Sequence, residues 1–390
     1  MTGERKSLPS SYIQALEDLL QIRLNDPIPS ELSRFATTIG ELASALNREP
    51  ARKELTNRVY LDEADALEAY LLYYTSANLL KIHHPLHELN MSGFFNRERV
   101  RVLDLGSGTG TMMLGTDFWR ESYHPDLFAD YTAIDQSAEA LRLASDLMSK
   151  LGRSVSCRVS DVADFSDQLD PFDLITTGHL LNELDGAEFE RFLQLVDRYL
   201  SPHGFLICLE PALRSTSRYL LQFRNLLLNK GWFVYSPCFT HRACPALENP
   251  ADWCHTTMHW DRPRFMAILD EMVGHVKKSL KYSYMIFSRQ NVHLGDFLLG
   301  GRDFNLQFRV VSELIKEKGR RRVYFCNDGG RVEFMKNKRD NAEPNAAFDQ
   351  LNRYDVVALA DYEIRANLGR VGKSTEVRPV IQPGEPPDAA

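Results

Sequence analysis

The stretch Val102-Leu103-Asp104-Leu105-Gly106-Ser107-Gly108-Thr109-Gly110 decides the fold. An apolar strand ends in an acid, then runs into a glycine-rich turn that opens a helix. Glycines allow a tight turn and let a ligand approach backbone N–H groups closely. A second acid, Asp135, ends the next apolar run, Tyr131–Ile134. In open α/β sheets ligands bind beyond the carboxyl ends of the strands, and a carboxylate there suits ribose hydroxyls. Outward from the loop, Val100–Leu105, Tyr131–Ile134, Phe172–Thr176 and Phe205–Leu209 read as strands, with helices at Ala138–Lys150 and Glu188–Leu200 between them. A helix at Arg264–Glu271 and a late strand at Ser283–Ser288 follow. Strands alternating with helices predict an α/β fold with a doubly wound, Rossmann-like parallel sheet.

Residues 1–98 read as helices, with Tyr12, Leu16, Leu19 and Leu20, then Leu67, Tyr70, Leu71 and Tyr74, at helical spacing. Nothing there reads as strand. Beyond about residue 292, Phe308–Val311, Arg322–Cys326 and Arg331–Phe334 predict short strands joined by turns such as Asn327-Asp328-Gly329-Gly330. The expected organisation is a helical region over 1–98 and an α/β domain over 99–290 with a cysteine-bearing insert at about 231–262. A small β-rich module over 291–380 and a disordered tail over 381–390 complete it.

The 390 residues are 44% apolar and 25% charged, the balance of a globular chain. No stretch approaches the ~20 apolar residues of a membrane span. The N-terminus has neither an apolar signal core nor the acid-poor amphipath of a transit peptide, so a cytoplasmic location and reduced thiols are expected. Net charge is −7, which gives no global basic footprint. One local basic run exists, Lys316-Glu317-Lys318-Gly319-Arg320-Arg321-Arg322, followed by Lys336, Lys338 and Arg339. It reads either as a solvated turn between strands or as a contact to RNA phosphates.

The D-x-G-x-G-x-G spacing resembles the first motif of class I S-adenosylmethionine-dependent methyltransferases. That resemblance implies that Gly106, Gly108 and Gly110 form the cofactor loop. It places Asp104 at the methionine end, Asp135 at the ribose and Asp161 near the adenine. The Asn/Asp-Pro-Pro-aromatic turn of many base-methylating enzymes is missing after the fourth strand, where His179-Leu180-Leu181-Asn182-Glu183-Leu184 stands instead. No cysteine nucleophile is placed there either. His179 reads as a base or as a structural histidine. The catalytic residues, and whether methyl transfer occurs at all, stay open.

Six cysteines divide into two groups. Cys157 and Cys208 fall in expected strands and read as small core residues. Cys238, Cys244 and Cys254 share one loop-rich segment, and Cys326 lies far downstream at a strand end. Four thiolates from two segments can close a tetrahedral zinc site or hold an iron–sulfur cluster. Unrelated buried cysteines are the plainer reading. His241 and His255 are rival ligands that would favour zinc.

Several pieces together resemble one family, the methyltransferase-like proteins of the small ribosomal subunit, which includes a mitochondrial small-subunit assembly factor and bacterial relatives. They are Val59-Tyr60-Leu61-Asp62-Glu63, Ala69-Tyr70-Leu71-Leu72-Tyr73-Tyr74, the glycine loop, Leu180–Leu184 and Leu209-Glu210-Pro211. Ser236-Pro237-Cys238, Cys244-Pro245, Asp252-Trp253-Cys254-His255, Tyr282-Ser283-Tyr284 and Tyr324-Phe325-Cys326 extend the match over roughly residues 55 to 335. After Glu210-Pro211 the chain has Ala212-Leu213 where relatives have Gly-Thr, so the loop there departs. The resemblance implies a class I methyltransferase fold and a four-iron four-sulfur (4Fe-4S) cluster on Cys238, Cys244, Cys254 and Cys326. It also implies association with small-subunit rRNA during ribosome assembly or translation; a monomer off the ribosome and no membrane partner are expected. The rival expectations are an active rRNA or protein methyltransferase, and a small-molecule methyltransferase with structural zinc.

Overall fold

The computed structural model describes residues 6–48, 51–52, 54–55, 59–162, 164–184, 186–275, 277–298, 307–366 and 368–381. Of the tail expected over 381–390, only Ile381 lies within the described residues, and it ends a strand.

A nine-stranded sheet forms the centre. Its strands are β1 (Lys6–Ser7), β2 (Arg99–Leu105), β3 (Phe128–Asp135), β4 (Val155–Val159), β5 (Phe172–Gly178), β6 (Leu200–Pro211), β7 (Phe233–Ser236), β8 (Thr256–Asp261) and β9 (Ser279–Ser288). They lie in the order β1-β8-β9-β6-β5-β2-β3-β4, with β7 also paired to β9. From β4 through β3, β2 and β5 to β6 the strands run parallel. β9 runs antiparallel to β6, β7 and β8. This is the class I methyltransferase arrangement. The chain leaves β2 toward β3 on one side and returns to β5 on the other. The crevice at this switch point therefore opens at the end of β2, where the glycine loop lies. From Val102 onward β2 is buried on both faces, as a strand covered by helices must be.

The helix Ala138–Lys150 has the expected bounds, and Ser137 caps it by accepting from the Ala140 N–H at 3.0 Å. The N-terminal helices Ser10–Leu20 and Pro29–Leu46 share one core with a face of the sheet. A second core covers the other face. Between Ala64 and Asn90 the chain is helical but irregular, π-wound over Tyr70–Thr75 and tightened to a 3-10 turn over Leu79–Ile82. Such distortions gather at functional sites.

The C-terminal module is an eight-stranded sheet around its own core of Phe308, Val323, Phe325, Phe334 and Phe348. Its strands include β10 (Gln307–Val310), β11 (Ile315–Glu317), β12 (Arg320–Asn327) and β13 (Gly330–Asn337). The module docks through a buried ion pair. Arg309 Nη1 meets Glu88 Oε1 at 2.7 Å, with side chains 3% and 0% exposed. Arg309 also donates to the carbonyls of Pro237 at 2.9 Å and Tyr354 at 2.7 Å. Glu88 accepts from the Tyr284 hydroxyl at 2.6 Å and from Ser236. Burial alone would raise the Glu88 carboxyl, yet the Arg309 charge and these donors hold it below the ordinary range.

One expectation changes and two gain detail. Residues 1–98 do contain a strand, since Lys6–Ser7 pairs in parallel with Trp260–Asp261. Two residues are too few to show a period. The cysteine insert is loop-rich between two strands at its ends, β7 and β8, which both pair with β9. The basic run is neutralised only in part. Lys318-Gly319 turns between β11 and β12, and Arg322 pairs with Glu317 at 2.5 Å and Glu333 at 2.7 Å. Arg320 also pairs with Glu317. Lys336 is 1% exposed and meets Asp349 at 2.9 Å. Among the described residues, Lys316, Lys318, Lys338 and Arg339 make no ion pair and stand exposed.

Candidate cofactor cavity and cysteine centre

The glycine loop lies at the end of β2. Gly106, Gly108 and Gly110 have φ of 64°, 51° and 82°, a region that side chains resist. The Gly108 N–H donates to Asp135 Oδ2 at 2.7 Å, and Gly110 opens the helix Thr111–Tyr123. Beside the loop is a cavity of ≈ 330 Å³. Asp104, Gly106, Gly108, Asp135 and Asp161 all line it, whereas Gly110 does not. Both main acids brace the loop. Asp104 accepts from Thr176 Oγ1 at 2.7 Å, Ser107 Oγ at 2.8 Å and the Met113 N–H at 3.3 Å. Burial still pushes its carboxyl up to about 6. Asp135 also accepts from the Ser137 N–H at 2.9 Å, and its carboxyl too is raised by burial.

The N-terminal region supplies a wall that sequence reasoning missed: Val59, Tyr60, Leu61, Tyr70 and Asn78. Asp62 anchors it to the cap of the helix Ala138–Lys150 by accepting from Ser137 Oγ at 2.6 Å. The quoted runs Val59–Glu63 and Ala69–Tyr74 carried the only available signal.

The Leu180–Leu184 run forms the opposite wall and couples to the end of β6. Glu210 accepts from the Leu181 N–H at 3.0 Å and from Asn182 Nδ2. Burial pushes the Glu210 carboxyl up to about 8, so it holds a proton at neutral pH. His179 lines the cavity with φ 65°, and its Nε2 is buried with no hydrogen-bond partner. Burial pushes its imidazole down to about 3, so the ring is neutral.

The cysteines of the insert flank Pro245–Leu247, and Cys326 projects from β12 toward them. All four interact. Burial raises the Cys326 thiol, and Cys238, Cys244 and Cys254 each raise it further. Burial, then Cys238, pushes Cys244 up to about 11. Burial pushes Cys254 up to about 12, with its Sγ 3.3 Å from the Tyr354 hydroxyl. Arg218 staples the insert by donating to the carbonyls of Ala246, Leu247, Asn249 and Asp252. Arg331 of β13 pairs with Asp252 across the module boundary. The rival ligands face elsewhere. His241 Nε2 lies 3.2 Å from His293 Nδ1, and His255 stacks on Trp253 at 5.8 Å. Among the described residues no three His, Cys, Asp or Glu groups stand close enough to share one metal ion. Cys157 and Cys208 lie in β4 and β6, apart from this group.

Five histidines set the acid limb of stability. Burial pushes His83 to about 3, His84 to about 4 and His87 to about 2, with His179 and His255 each at about 3. They stay neutral when folded and gain protons near pH 6.5 when unfolded. The unfolded state then binds more protons, so stability falls as pH drops through 6.5. Asp104, Asp135 and Glu210 act oppositely, but the histidines outnumber them. The urea midpoint should be lower at pH 5 than at pH 7; an equal midpoint would refute this assignment.

The fold and cavity define a protein of the class I methyltransferase type. The chain belongs to the family described as mitochondrial small ribosomal subunit Rsm22, whose pattern matches residues 40–343. No curated protein sequence matches it. Solved structures give distant likenesses. One is a candidate class I S-adenosylmethionine-dependent methyltransferase from Listeria monocytogenes, with 13% identity, 72% of this chain and 88% of that chain covered, and TM-score 0.41. Another is the plantazolicin methyltransferase BpumL in complex with SAH, at 15% identity, 66% and 99% coverage and TM-score 0.39. A SAM-dependent methyltransferase from Aquifex aeolicus shares 20% identity over 39% of this chain and 82% of that one, with TM-score 0.31. The fold assignment rests on the strand order. No helix among the described residues is long and apolar enough to cross a membrane.

Proposed function

We propose that this chain is a cytoplasmic, methyltransferase-like protein of the small ribosomal subunit that binds S-adenosylmethionine and holds an iron–sulfur cluster. The observation that carries the reading is the convergence of Cys326 with Cys238, Cys244 and Cys254 from a segment far upstream. A single zinc ion needs thiolates ~3.8 Å apart, given Zn–S near 2.3 Å. Among the described residues no three such groups stand that close, and four cysteines from two segments are the donor set of a four-iron cluster. Such a cluster needs four thiolates, which these cysteines would supply on losing their protons. It would tie the β module to the body and, when bound, supply one-electron chemistry.

In the cavity, Asp104, Gly106, Gly108, Gly110, Asp135 and Asp161 would hold S-adenosylmethionine, which supplies an electrophilic methyl group. Gly110 would act through the helix start, since it does not line the cavity. The proposed domain limits are 1–98, 99–290 and 291–380; the first two share a core, and the third has a core of its own besides Tyr354 and Val356, which pack into the shared one. Contact with rRNA phosphates would fall to Lys316, Lys318, Lys338 and Arg339, the exposed cations left unpaired. The family's description supports the ribosomal setting.

Anaerobic purification with metal and sulfide analysis, followed by co-sedimentation with small subunits, tests the reading. Iron and sulfide should be equal and roughly fourfold per chain. Stoichiometric zinc without iron sinks the cluster, and absence from the subunit fraction sinks the ribosomal role.

A further inference from the structure

Arg224 is a buried cation that no carboxylate balances. Its side chain, on the helix Arg214–Asn229, is 0% exposed. Nη1 donates to the Arg242 carbonyl at 2.8 Å and Asn225 Oδ1 at 2.7 Å, and Nη2 donates to the Thr240 carbonyl at 2.5 Å. These acceptors are all neutral. Nε is buried with no hydrogen-bond partner. Among the described residues Arg224 forms no ion pair.

An isolated buried cation costs several kcal/mol, so native folds pair such charges. The carbonyls it holds, Thr240 and Arg242, lie between Cys238 and Cys244 in the chain, and against the cost of burial the neighbouring groups that favour its charge are the thiols of Cys238, Cys244 and Cys326. The same helix reaches the insert a second way, because the Cys244 N–H donates to Asn225 Oδ1 at 3.2 Å. Neutral thiols cannot balance a cation. Thiolates around a metal cluster, with their net negative charge, can.

We infer that Arg224 is the counter-charge of the thiolate-ligated group and sets its reduction potential. The inference rests on the cluster reading above. A fixed positive charge in a low-dielectric site favours the more negative, reduced state, and so raises the potential. The plainer role is that of Arg218, a guanidinium stapling loop carbonyls. The two roles separate by charge. Arg224→Lys keeps the cation and loses the fork, while Arg224→Gln keeps a donor and loses the cation.

The test is an EPR-monitored redox titration of the anaerobically purified full chain, with iron content measured in parallel. Wild type, Arg224→Lys, Arg224→Gln and Arg218→Gln are compared. At a fixed potential, Arg224→Gln should shift the reduced-to-oxidised ratio at least tenfold toward oxidised, ~59 mV for a one-electron couple. Arg224→Lys should stay near wild type, and Arg218→Gln should shift the ratio less than Arg224→Gln does. Iron lost from Arg224→Gln but kept by Arg224→Lys also supports the counter-charge. A wild-type chain without iron overturns the cluster reading itself. A loaded wild type that takes up no electron overturns the inference alone. So does an unchanged potential in Arg224→Gln, or equal iron loss in the Lys and Gln variants.

Discussion

Replacing Arg309 by methionine should destabilise the fold by ~3–5 kcal/mol, the cost of leaving one partner of a buried ion pair uncompensated. Glu88 is 0% exposed in its side chain, with Arg309 as its paired cation. Its other close partners are the neutral donors Tyr284 and Ser236 and the imidazole of His84, 3.4 Å away, which burial keeps neutral. Without Arg309, Glu88 must take a proton or sit charged in an apolar interior. The loss also strips a donor from the carbonyls of Pro237 and Tyr354, so the β module loosens at the cysteine centre. A urea titration of the variant measures the cost. Arg309→Met combined with Glu88→Gln should cost less than the two singles summed, because no buried charge then remains. Strict additivity would mean that the pair is not coupled.

Gly115→Val should cost ~3 kcal/mol, the upper range for overpacking a core. A Cβ at Gly115 would stand 2.2 Å from the Leu79 carbonyl oxygen and 2.7 Å from Ile82 Cγ2. The first obstacle is backbone in a tight 3-10 turn, so no rotamer change relieves it. The helix Thr111–Tyr123, which begins at the glycine loop, would have to move from its neighbour. Gly186→Ala is the control, since nothing lies within 4 Å of its Cβ position. Thermal melts should separate the two variants clearly; equal melting temperatures would contradict the packing argument.

The parallel sheet was legible because its strands carry continuous apolar runs and its loop carries glycines at positions with positive φ. Cys238, Cys244 and Cys254 stood out because three of only six cysteines share one short segment, whereas Cys326 lies within β12. What failed was long-range. Lys336 and Arg322 read as surface charges, yet strand alternation turned Lys336 inward to Asp349, and Glu317 and Glu333 found Arg322 through hairpin register. The Tyr60–Tyr70 wall was invisible because helical periodicity marks an apolar face without saying what it covers. Asp104 and Asp135 were read as ligand groups. Their internal donors depend on the closed turn, which spacing alone does not give. Arg224 gave no signal because a lone arginine in an amphipathic helix shows its meaning only beside the thiols.

The Glu88–Arg309 pair also bears on the order of events at synthesis. Its partners are 221 positions apart, so Glu88 emerges ~10–45 s before Arg309 at elongation rates of ~5–20 residues per second. Lys6–Ser7 likewise waits for Trp260–Asp261. The nascent N-terminal half therefore carries an unmatched acid and an unpaired edge until the distal half is made. Final closure of the molecule is an event of the completed polypeptide.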